Sequence, residues 1–493
     1  MSSTTAIHGP HSRQGALATR RGKLTLAFLC MVGFLDFVDA SIVNVALPTI
    51  RGDLHFSVQN LQWVLSGYLL TYGGFMLLGG RAADLLGRRR LLVAGMTVFA
   101  LSSLTGGLAR DPTMLIGARL VQGLGAAMML PAALSILTTT FAEGRDRNTA
   151  LGAWGGIAGL ASAVGVFLGG VLTEDVGWRW VLWVNLPVCA GLLVATFRIV
   201  SGDRPARRVR SFDPLGAILV TGGMLLLIYT LVNAPSVGWE TPRTIAGLVG
   251  AGLLLVAFIV NERGHQNPLV PLSIFRIPGL AAADATQVIA MAGFYSMFFF
   301  LTLYMQNVLG FSQLQAGTAY LPATAGVAIA SGIASQLFAR VGTRPIIVTG
   351  ALVSAVAVFW LSRIPVDGSY LTDLLPGLVT MSFGLGFVFV GVNTAANAGV
   401  PPDKAGLAAA LVNTSTWLGG ALGLAIFSVV ATTRTQHLLA AHASQPDALT
   451  SGFRRALVAC AAFLVAAALI SLRATNTRGE PALTDPTLAI EEA

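Results

Sequence analysis

Long apolar runs, broken at short intervals by polar turns, make up most of this 493-residue chain. The runs fall at Leu24–Pro48, Leu61–Gly80, Leu91–Leu108, Met114–Thr140, Thr149–Leu172, Trp180–Val200, Pro214–Val232 and Ile245–Val260. Six more follow at Leu280–Leu309, Thr318–Ala339, Ile346–Leu361, Leu371–Ala398, Ala405–Thr432 and Gly452–Leu472. About 20 apolar residues rising ~1.5 Å each as a helix cross the ~30 Å hydrocarbon core of a bilayer. The pattern therefore predicts an all-α polytopic membrane protein with about 14 transmembrane helices, a number that leaves both ends of the chain on one side.

Polar residues inside these runs are the candidate chemistry, because a charge in a membrane helix is costly and tends to face protein or water. Asp36 and Asp39 stand three residues apart in the first run, on one helix face, followed by Asn44 and a closing Pro48. Arg119 is the arginine that falls deepest inside a run. Counting from Leu24, Asp39 lies ~22 Å from the side of the N-terminus; counting inward from Met114, Arg119 lies ~8 Å below the other side. In a core of ~30 Å the two share a level. Such a pair can serve as a proton carrier with its partner: the guanidinium favours the charged carboxylate, burial favours the neutral acid. A static ion pair is the alternative. Gln122, one turn on, extends the polar face, and Pro131 is expected to end or kink that helix.

Composition places the chain in the membrane class, with 54% hydrophobic and only 11% charged residues. The net charge of +9 then concerns orientation rather than nucleic-acid binding. Arginine crowds the N-terminal tail, Arg81–Arg90, Arg145/Arg147, Arg204–Arg210, Arg263/Arg276, Arg340/Arg344 and Arg473/Arg478. The alternate loops hold single arginines, with Arg454/Arg455 as an exception, so both termini are expected in the cytoplasm. Cys30, Cys189 and Cys460 lie in separate apolar runs, and the histidines fall in tails or loops, suggesting neither disulfide nor metal site. The first run is too long and too acidic for a cleaved signal peptide.

The chain also echoes itself. His55–Gln62 (HFSVQNLQ) before the second run resembles Gly310–Gln315 (GFSQLQ) before the tenth, with Ser312 and Gln315 fit for a capping box. Each following run ends in a basic turn, Gly80–Arg90 and Ser335–Pro345. Two six-helix halves follow: a bundle over 24–200 and another over 280–473, joined by 201–279 with two additional helices, and flanked by tails 1–23 and 474–493.

Several stretches resemble a known family. Gly80-Arg-Ala-Ala-Asp84-Leu-Leu-Gly87-Arg88-Arg89-Arg90 is similar to the loop signature of the major facilitator superfamily, G-x-x-x-D-x-x-G-R-R. Asp39 to Pro48 resembles the first-helix signature of its fourteen-span drug:proton antiporter branch, the EmrB/QacA type. Arg119-Leu-Val-Gln122-Gly123-Leu-Gly125 up to Pro131, and Trp178-Arg-Trp180 leading to Asn185-Leu-Pro187, are similar to that branch's fourth- and sixth-helix motifs. Two positions depart from it: Val166 replaces the proline of Gly-Pro-x-x-Gly-Gly at Gly165–Gly170, and Trp417 stands where a glutamine is frequent.

The resemblance implies a transporter, not an enzyme, that exports a small hydrophobic or cationic compound in exchange for protons. No cofactor is expected beyond the proton gradient, and no GxxxxGK[ST] stretch points to a nucleotide. The expected partners are a small-molecule substrate, protons and the bilayer, with no nucleic acid and no obligatory protein, in the cell membrane. Asp39 is assigned as proton carrier, with Asp36 second and Arg119 as partner. Gly80, Asp84, Gly87, Arg88 and Arg89 form a gating loop in which the glycines allow tight approach. Asn44, Gln122, Asn393, Asn397, Asn413 and Trp417 are assigned to the substrate pocket, and Asp284 to a solvated helix end. Gly165, Gly169 and Gly170, with Pro131, serve helix packing or hinging. A proton symporter or facilitator for a metabolite, and a non-transporting membrane sensor, are the competing readings.

Overall fold

The computed structural model describes residues 17, 19–141, 145–200, 213–266, 268–400 and 404–478. Among these, every regular element is a helix, and fourteen of them are long. The first six are α1 (Arg20–Leu54), α2 (Trp63–Leu86), α3 (Arg88–Gly107), α4 (Pro112–Thr140), α5 (Arg145–Asp175) and α6 (Asn185–Ile199). Next come α7 (Pro214–Val237) and α8 (Pro242–Gly264). The last six are α9 (Leu280–Asn307), α10 (Leu321–Val341), α11 (Thr343–Leu361), α12 (Leu375–Asn397), α13 (Ala405–Ala440) and α14 (Gln445–Ser471). Twelve membrane-length apolar spans are present among the described residues; α2 and α5 are the two other long helices.

Local chemistry fixes where the helices start. Asp111, Asp213 and Thr241 each accept a hydrogen bond from a backbone N–H three residues on, and each is followed by proline at the first helical position. Ser312 and Gln315 make the capping box expected of them. Two helix ends differ from expectation. Pro48 does not close α1, which runs on to Leu54, and Pro131 does not end α4, which continues to Thr140. In a bilayer the carbonyl that a proline leaves without its N–H needs another neighbour. For Pro131 that carbonyl belongs to Ala127, and it lies against the backbone of Gly79 on α2, where a Cβ would collide with it. At Gly80 next door a Cβ would meet only Pro131 Cβ, at 3.8 Å, so the tight approach assigned to Gly80 belongs to Gly79. Gly79→Ala is expected to lose about 1–3 kcal/mol by overpacking, and Gly80→Ala to melt like the wild type; thermal unfolding of purified protein in detergent compares them.

The two halves repeat one packing scheme. In the first, α1 packs on α5, α4 and α6, and α4 packs on α2 and α3; in the second, α9 packs on α13, α12 and α14, and α12 packs on α10 and α11. Helices α7 and α8 pack on one another, and α7 leans on α2 and α13. The halves meet mainly where α2 crosses α13 and where α5 meets α10 and the short helix Gln313–Ala319 before it. The boundaries of the tails shift slightly: α1 already begins at Arg20, and residues 474–477 are bonded to the start of α11 through Thr343 and Arg344 rather than lying free.

Candidate functional site

Asp39 sits at the centre of the first half and is fully buried. Its Oδ2 accepts from Arg119 NH1 at 2.7 Å, and its Oδ1 accepts from Gln122 Nε2 at 2.8 Å and from Asn185 Nδ2 at 2.6 Å. Gln122 returns a carbonyl to Arg119 NH1 at 2.7 Å and donates to Ser103 Oγ at 2.8 Å. Four helices, α1, α3, α4 and α6, thus close around one carboxylate. Arg119 also donates through Nε to the Val64 carbonyl at 3.0 Å, and its guanidinium lies 4.2 Å from the centre of the Tyr68 ring. That stacking covers NH2, which has no hydrogen-bond partner. Asp36, one turn earlier, accepts from the hydroxyls of Tyr68 at 3.0 Å and Tyr72 at 2.7 Å.

The arrangement has a ready answer to protonation. A neutral Asp39 carries an O–H that needs an acceptor. The Asn185 side-chain carbonyl is buried and unpartnered. Rotation of that amide would let it accept from the neutral acid with no helix moving. Taking up a proton also removes the counter-charge of Arg119, which then keeps only the Gln122 and Val64 oxygens. The cluster therefore has hydrogen-bond partners to offer to either form of the acid.

Other expected site residues are placed differently. Gln122 belongs to the Asp39 network. Asn393 and Asn413 are half-buried and donate to carbonyls of their own helices, Phe389 and Ala409; Asn397, exposed at the end of α12, donates to Asn393. In each case the amide N–H is satisfied on the preceding turn of its own helix. Asn44 instead ties the halves together, donating to Thr302 on α9 at 3.1 Å. Trp417 is buried and stacks on Tyr72 with ring centres 4.4 Å apart. Asp284 is not solvated: it is 7% exposed.

In the loop after α2, Gly87 has φ +99°, a backbone region that disfavours any side chain. Arg89 stacks on Phe197 of α6, its Cζ 4.9 Å from the ring centre, and Arg88 lines a cleft of about 310 Å³ among α1, α3, α4 and α6. The side chain of Asp84 lies outside what is described. Gly165 and Gly169 let α5 touch the α1 backbone, where added Cβ atoms would fall 2.8 Å from the Val38 carbonyl and 2.5 Å from that of Ile42. A Cβ on Gly170 would lie 2.8 Å from Cα of Leu314 in the other half. Beside it Leu314 N donates to Glu174 at 3.0 Å, Gln313 Nε2 to Thr49 at 3.0 Å and Gln306 Nε2 to the Val45 carbonyl at 2.8 Å. These links gather at the end remote from the termini.

Comparison with known proteins adds the following. The sequence pattern of the Major Facilitator Superfamily matches residues 29–424. A puromycin resistance protein of Streptomyces alboniger is 38% identical over 449 residues, 90% of this chain and 89% of that protein. The cephamycin export protein CmcT of Amycolatopsis lactamdurans is 37% identical over 471 residues, 95% of each. Among solved structures, a bacterial homologue of the human lysosomal transporter Spinster superposes with TM-score 0.66 at 16% identity, covering 92% of this chain and 96% of that one. At that identity the likeness concerns the fold.

Proposed function

We infer the work of this chain from its family: it belongs to the Major Facilitator Superfamily, and it is a multi-pass membrane transporter that moves a small molecule outward, not an enzyme. We propose that a proton gradient drives it by antiport, with Asp39 as the carrier. The observation that carries this reading is the Asp39 carboxylate, fully buried, matched by one guanidinium and two amides, with the unpartnered Asn185 carbonyl beside it. A tenfold proton gradient supplies about 1.4 kcal/mol per proton, enough to bias which way a balanced pair of halves leans.

The cargo is proposed to be an antibiotic-type compound, hydrophobic or cationic, as the relatives named for puromycin, cephamycin and tetracenomycin C suggest. The arginine-rich loops support termini in the cytoplasm of a cell membrane. On that orientation the links between Asn44, Gln306, Gln313 and their partners hold the two halves together toward the outer side. Proton uptake from outside and release inside would then alternate with cargo binding inside and release outside.

Purified protein in liposomes with an internal pH dye tests this. A panel of antibiotics and lipophilic cations should contain at least one compound whose addition collapses an imposed pH gradient, at a rate dependent on the protein. Compound flux that is insensitive to the gradient would leave a facilitator; compound and protons moving in the same direction would make it a symporter.

A further inference from the structure

Asp284 is another acid that the described helices bury, and it is furnished differently from Asp36 and Asp39. Asp39 receives three donors and Asp36 two. Asp284, in the second turn of α9 and 7% exposed, receives no well-formed hydrogen bond on either carboxyl oxygen, with only the Ser415 hydroxyl near enough to approach one. An ionised carboxylate buried without donors is among the costliest groups a protein can hold. The counter-charge has to come from somewhere. Among the described residues no charged side chain pairs with it; the Ser415 hydroxyl on α13 is its polar neighbour.

We propose that Asp284 is a binding site for a small monovalent cation, a proton or a sodium ion, held between α9 and α13. The surroundings suit either. Gln287, one turn on and fully buried, shares the face of Asp284; its Nε2 donates to Thr416 Oγ1 at 2.8 Å while its Oε1 has no partner. Carboxyl, amide and hydroxyl oxygens are what a hard cation binds, and a proton needs only the carboxyl. This site stands apart from the Asp39 network, in the other half of the molecule, and does not depend on the antiport reading.

The site also touches the first half indirectly. Ser415 and Thr416 precede Trp417, whose ring packs on Tyr72, and Tyr72 donates to Asp36. One turn of α13 therefore bears on Asp284 on one side and on the partner of Asp36 on the other.

Infrared difference spectroscopy of the full chain tests the site without any transport. In sodium-free buffer at neutral pH, subtracting the Asp284→Asn spectrum from that of the wild type should leave one protonated-carboxyl band, also present in Asp39→Asn. Adding sodium should either leave the band, which identifies a proton, or remove it with binding of about one sodium ion per chain that Asp284→Asn lacks. Asp284→Glu should keep a band at a shifted frequency, which guards against a folding defect in the asparagine variant. No band in the difference spectrum, together with equal sodium binding by wild type and Asp284→Asn, would overturn the proposal. Because the readout is spectroscopic, a failure here is separable from a failure of proton-driven export.

Discussion

Asp39→Asn is expected to reach the membrane and fold as the wild type does, and to show no pH-gradient-driven export in everted vesicles. Asparagine imitates the protonated acid in shape and charge, and a carrier must visit that neutral state in every cycle. The variant therefore occupies a state the protein already tolerates: Asn185 can turn its carbonyl toward the new amide, and Arg119 keeps the Gln122 and Val64 oxygens. What it cannot do is release a proton. The exchange rate should drop to that of protein-free vesicles, while thermal stability stays within about 1 kcal/mol, the scale of one ordinary hydrogen bond. Wild-type exchange in this variant would make the Asp39–Arg119 contact a structural ion pair and nothing more.

The opposite truncation should behave differently. Arg119→Leu leaves Asp39 charged and buried with only the amides of Gln122 and Asn185. Breaking a buried pair on one side costs about 3–5 kcal/mol, because the remaining charge has no counter-ion. The single variant should unfold at much lower temperature or be degraded in cells. Adding Asp39→Asn should recover most of that loss, since no charge is then stranded. The double-mutant cycle isolates the coupling; thermal unfolding in detergent measures it. Additive losses in the double variant would mean that Arg119 contributes through its packing on Tyr68 and not through charge.

Much of this was legible in the residues. The spans stand out because a bilayer demands long apolar helices, and Asp39 and Arg119 could be matched because residue counts along antiparallel helices are depths. The rest of their cluster carries no such signal. Ser103 is one serine in an apolar run, and Tyr68 and Tyr72, spaced four apart, look like packing. Asn185 lies in a stretch that resembles a family motif, yet its role appears only when α6 is laid beside α1. The asparagines of α12 and α13 misled for the converse reason: a polar side chain that bonds to its own helix reads in sequence like one that faces a ligand. Asp284 misled because nearness to a helix start suggests water, and only the neighbouring helices reveal that it is covered. Pro48 misled because soluble-protein habits do not transfer: α1 runs on past it. Gly79 gives the freed Ala127 carbonyl a neighbour that Pro131 alone does not announce.

At Gly170 the backbone of α5 touches that of residues 313–314 with no side chain in between. That contact is thus main chain against main chain, a surface that cannot swell, titrate or swing aside as the neighbouring Gln306, Gln313 and Glu174 side chains can. A single methyl group at residue 170 would wedge the two backbones apart.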